Sequence, residues 1–190
     1  MRRTISLASL LFLAACSSAP VPNLDSKDPY ERYLGALEAS EESDAESLKR
    51  IEALLKDPDP LARTGAVVAL AKRQPRPPGA LAQLIGMLGD ADSSVRIEAI
   101  RSLADFKEPS SVEAIVKVLA FDAAVEARRV AALELGVFPD SPSLRTALLE
   151  AFSDPAAGVA YNAHRSLVRL TGRKDLPRAR AAAEEALKKS

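Results

Sequence analysis

A chain of 190 residues with 47% hydrophobic side chains has the length for one folded domain plus short appendages. Aromatics make up only 4%, Trp is absent and Ala and Leu dominate, a composition that favours closely packed helices over pleated sheets. The 26 basic and 26 acidic residues cancel, so no bulk charge draws nucleic acid and no nucleic-acid partner is expected.

In chain order, residues 1–15 come first, with Arg2 and Arg3 ahead of an apolar run shorter than the ~20 residues of a spanning helix. That pattern predicts a secretion signal. It ends in Leu13-Ala14-Ala15-Cys16, which resembles the lipobox of bacterial lipoproteins at all four positions. The resemblance implies cleavage before Cys16 and acylation of its thiol, which makes the lipid the membrane anchor. Cys16 is the only cysteine, so it forms no intramolecular disulfide. Loss of Arg2 and Arg3 leaves the mature chain with a charge of −2. Ser17 stands where Asp would favour inner-membrane retention in enterobacterial sorting, which points to a periplasm-facing protein of the outer membrane. Residues 16–28 are polar and proline-punctuated and are expected to form a flexible tether, with the folded domain at 29–190.

The domain repeats. Four turn segments align, starting at Asp57, Asp90, Asp122 and Asp154, at spacings of 33, 32 and 32 residues. Counting from each Asp, column nine holds Ala66, Ala99, Ala131 and Ala163, and column thirteen holds Leu70, Leu103, Leu135 and Leu167. Six residues before each Asp lies Ile51, Leu84, Val116 or Leu148. Helical spacing on both sides of each turn predicts a pair of helices per unit, over about 46–73, 78–106, 110–138 and 142–171. Columns five, nine and thirteen fall on one arc and form the expected core face. Asp59, Asp92 and Asp154 are candidate N-caps. A stripe of Tyr30, Tyr33, Leu34 and Leu37 is expected to cap the first unit, and a C-terminal cap helix is expected over 177–189.

This pattern resembles HEAT repeats of the short bacterial type also found in phycobilisome lyases. The resemblance implies an all-α solenoid, an α-α superhelix. It also implies a ladder between neighbouring turns made by each Asp and the Arg six residues on: Asp57 and Arg63, Asp90 and Arg96, Asp122 and Arg128. The fourth unit has Ala160 in the Arg column, a loss a terminal repeat tolerates.

Catalytic and metal motifs are not found in the sequence, and neither a cofactor nor a small-molecule substrate is expected. The single histidine, His164, stands where other units carry Val67, Ile100 and Ala132, which predicts a core or groove-edge residue. Columns four, eight, eleven and fifteen of each second helix are expected to face outward. In the third unit they hold Glu126, Val130, Leu133 and Val137, while Arg101 and Arg165 share the column of Leu133 in the adjoining units. An apolar centre with basic flanks predicts a surface for a protein partner in the envelope. The function expected is that of a tethered scaffold or adaptor. A relative of HEAT-like lyases and a purely structural spacer are the alternatives.

Overall fold

The turn residues dictate where the helices begin. Asp28, Asp44, Asp59 and Asp92 each stand just before a helix and accept a hydrogen bond from the backbone N–H two residues on. That satisfies one of the donors a first turn leaves without an intrahelical partner. Pro29 and Pro60 follow two of these caps, where a missing N–H loses no bond.

The computed structural model describes residues 23–188, which form ten α-helices and no strand among the described residues. The helices are α1 (Pro29–Ala39), α2 (Ala45–Leu54), α3 (Pro60–Lys72), α4 (Ala80–Met87), α5 (Ser93–Phe106), α6 (Val112–Phe121), α7 (Val125–Glu134), α8 (Pro142–Glu150), α9 (Ala157–Thr171) and α10 (Arg180–Lys188). The leader, Cys16 and residues 17–22 lie outside the described residues, as does the end of the C-terminal cap. Pairs α2/α3, α4/α5, α6/α7 and α8/α9 are the four units, and they stack into an α-solenoid.

Columns nine and thirteen form the spine of the core: all four alanines and all four leucines are fully buried. In the column six before the Asp, Ile51, Leu84 and Leu148 are also fully buried. The third unit differs, because α6, entered through the 3-10 turn Pro109–Ser111, buries Ile115 and leaves Val116 half-buried.

Second helices pack through small residues. A Cβ on Gly65 would lie 2.8 Å from the Tyr33 Cα of α1, so only glycine allows that approach. Between α7 and α9, the Ser166 hydroxyl donates to Ala132 O at 2.7 Å and the Asn162 amide to Arg129 O at 3.0 Å. The first helices stand further apart, with grooves of about 360 and 520 Å³ between α6 and α8 on either side of Val116. The tighter layer of second helices therefore lies on the inside of the curve.

Two expectations change. Residues 23–28 are not tether: Leu24 is buried with its backbone across Gly35, and the Asn23 carbonyl accepts the Ser26 N–H. The stretch belongs to a half unit, with Ser26 in the Asp column, Asp28 in the cap column, Arg32 in column six and Gly35 in column nine. In addition, Asp154 is not the cap of α9. Ala156 holds that position, and the Asp154 carboxylate accepts the Ala156 N–H from two residues upstream. At the N-terminal end one buried cation ties α1, α2 and α3 together, since Arg73 donates to the carbonyls of Ala39 and Asp44 and to the Ser47 hydroxyl.

Candidate functional site: turn ladder, concave face and C-terminal end

Along the turn edge, each column-six arginine grips the Asp of the following unit. Arg63 reaches Asp90 through Nε and Nη2 at 2.8 and 2.7 Å, Arg96 reaches Asp122 at 2.7 Å for both, and Arg128 reaches Asp154 at 2.8 and 3.1 Å. A fourth rung precedes these, from Arg32 to Asp57 at 2.8 Å for both bonds. The free Nη1 of each arginine donates back to the carbonyl of its own unit's column-zero residue: Ser26, Asp57, Asp90 or Asp122. Every aspartate also accepts the N–H two residues on, which aims the turn into the next helix. These are bidentate, charge-assisted bonds in partly buried surroundings.

Their electrostatics have one sign. Burial pushes the carboxyls of Asp57 and Asp90 up, but the arginine and backbone hydrogen bonds outweigh it and leave both below the usual value. At Asp122 and Asp154 the arginine bond is the leading influence, again downward. A lowered folded pKa contributes stability above the unfolded value and loses it as pH falls through the folded one, so the ladder is acid-labile.

On the concave face, column eleven of successive second helices carries Val68, Arg101, Leu133 and Arg165, so Leu133 lies one helix away from each arginine. Arg101 and Arg165 are exposed, and Leu133 is half-buried. Val137, half-buried too, sits in the 3-10 turn Leu135–Val137 that extends α7. Val130 does not belong to this surface. It is 2% exposed, because column eight faces the preceding second helix, as Gly65 against Tyr33 and Asn162 against Arg129 show. Beside Leu133 lies a group that the column pattern did not single out, Glu134, half-buried where the other units have Ala69, Ser102 and Ser166. Burial pushes its carboxyl up, with Arg101 and Arg169 opposing and Asp105 adding to the rise.

At the C-terminal end, His164 is half-buried beside Phe152. Its Nε2 lies 2.9 Å from Leu176 O; a carbonyl only accepts, so Nε2 carries the proton and donates. Tyr161, 49% exposed, is flanked by two guanidiniums, Arg165 at 5.8 Å and Arg178 at 5.9 Å from its ring centroid. A cavity of about 320 Å³ opens there, lined by Ala157, Ala160, Tyr161, His164 and Arg178.

Comparison with known proteins agrees with this geometry. No curated protein matches the chain. Two crystal structures of engineered proteins share the fold, one at 23% identity over 87% of this chain and 85% of that one, the other at 20% over 87% and 86%, each with a TM-score of 0.53. A family model described as HEAT repeats matches residues 49–123 and 82–168, which together span well over half of the sequence. With its paired helices, its turn ladder and that match, the chain belongs to the HEAT-repeat family.

Proposed function

We propose that the chain is an envelope lipoprotein, anchored through Cys16 in the outer membrane and facing the periplasm, that serves as a protein-binding scaffold with no reaction of its own. HEAT repeats typically mediate protein–protein contacts, and the concave face supplies the observation that carries this reading. There, half-buried Leu133 and Val137 lie between the helices that bear exposed Arg101 and Arg165. An apolar centre edged by arginine is the composition of interfaces in which a few central residues carry most of the affinity. Six residues, 17–22, lie between the proposed anchor and Asn23, so the two are at most about 25 Å apart. The scaffold therefore works close to the bilayer.

Two measurements test this reading. Mass spectrometry of the native protein should find an acylated Cys16 as the mature N-terminus; a mature form that begins elsewhere removes the anchor. Affinity capture from solubilised membranes should recover a partner with the wild type and lose it with Leu133→Asp, at an unchanged helical signal. A folded Leu133→Asp that still captures every partner places binding elsewhere.

A further inference from the structure

The interior of the stack shows what its C-terminal end lacks. Between units, a column-six guanidinium receives a carboxylate from the turn of the next unit, and the column-seven residue lies under the next second helix. Tyr33 does this against Gly65, and the Arg129 carbonyl against Asn162. In the last unit both columns are open: column six is Ala160, and column seven is Tyr161, nearly half exposed. The place is not left apolar. The loop before α10 brings Arg178 to the cavity that Ala160 lines, and Arg165 approaches Tyr161 as well. Neither arginine has a carboxylate within ion-pair distance among the described residues, although four interior arginines of the ladder each have one. The whole end is basic, with seven basic and three acidic residues from Pro155 to Lys188, whereas Asn23 to Asp59 has eleven acidic and five basic.

We propose that this end of the solenoid, built on Tyr161, Arg165 and Arg178 around the 320 Å³ cavity, docks an acidic turn of a partner protein, a segment with carboxylates at the start of a helix. The occupant follows from charge complementarity and from the ladder, where the same face of each interior unit accepts an Asp-bearing turn leading into a helix. Tyr161 supplies an apolar wall with two guanidiniums near its ring, Arg165 at 5.8 Å and Arg178 at 5.9 Å from the centroid. His164 is fixed by Leu176 O, so the cavity wall is set before a ligand arrives. This docking shares Arg165 with the concave face around Leu133, but its tests at Tyr161 and Arg178 lie outside that face, and it does not depend on acylation of Cys16.

Titration calorimetry of the full chain in detergent, with a hexaglutamate peptide as probe, tests the assignment. Saturable binding is expected, weakened by about tenfold or more in Arg178→Glu and by several-fold in Tyr161→Ala, because charge reversal and loss of the wall act at the contact itself. Lys174→Glu makes the same change in net charge nearby and should shift affinity by less than about twofold, as rim charges do. Unchanged melting temperatures of the variants show that folding is intact, and Arg178→Lys should bind better than Arg178→Glu. Equal losses in Lys174→Glu and Arg178→Glu would reduce the effect to diffuse charge and overturn the site. Inorganic phosphate saturating the same surface at the peptide's affinity would make it a bare anion site instead. Self-association that excludes the peptide would assign the face to the acidic end of a second copy.

Discussion

The two layers of the solenoid are made from similar alanine- and leucine-rich helices, yet they close in different ways. Between second helices, glycine, alanine and serine let backbones approach until side chains bond to neighbouring carbonyls, as Ser166 does with Ala132 and Asn162 with Arg129. Between the first helices α6 and α8 no such approach occurs, and grooves remain beside Val116. The contrast follows from residue size at a few columns: small residues on the inner side admit a close approach that the outer side lacks. It also predicts an order of mutational effects, steep on the inner side and shallow on the outer.

Leu103→Ala should cost most, about 2–5 kcal/mol, since a fully buried leucine on the inner spine leaves a cavity. A thermal melt in which this variant behaves like the wild type would put the spine in the wrong register. Arg96→Ala should follow, at about 1–3 kcal/mol near neutral pH, because it leaves the Asp122 carboxylate partly buried without its bidentate donor. Its deficit should shrink as pH falls below about 4, since in the wild type the depressed Asp122 pKa contributes stability that is lost on protonation. Urea titrations at pH 7 and pH 3.5 measure both halves; a deficit that grows in acid would reverse the assigned sign.

Gly65→Ala sharpens the contrast further. In an open helix this change stabilises by about 0.5–1 kcal/mol, but here the new methyl meets the Tyr33 backbone, so a net loss is expected. A stabilised variant would show that α1 can slide away freely. The smallest effect is on the outer layer, where Phe121 is 84% exposed at the end of α6. Phe121→Ser should change stability by less than about 0.5 kcal/mol despite removing an aromatic ring. A larger loss by differential scanning calorimetry would mean that the groove it borders is closed in solution.

Much of this organisation was readable in the sequence because repetition supplies several copies of each position. Alanines at column nine and leucines at column thirteen agree four times, and every one is buried. Column eight misled because a helical wheel separates core from solvent but does not show a third direction, the preceding helix, which claims Val130. The first rung was hidden for a different reason. Ser26 stands where the Asp would announce a unit, although Asp28, Arg32 and Gly35 keep its other columns. Arg178 lay beyond any column, since its place beside Tyr161 depends on the path of a loop that no repeat specifies. Glu134 was a departure visible in its column, but its meaning depends on burial beside α5.

The ladder also bears on how such a chain could lengthen. Its four arginines and four aspartates are matched across unit boundaries, with Ser26 at one end offering no carboxylate and Ala160 at the other no guanidinium. Duplication of an interior unit adds one donor and one acceptor together, so every rung re-forms and the charge balance of the edge is kept. Fusion of an extra unit to either end meets a residue that cannot complete a rung. Growth from within is therefore the electrostatically silent route, and a family of longer and shorter relatives related by interior duplication would preserve these two terminal residues while multiplying what lies between them.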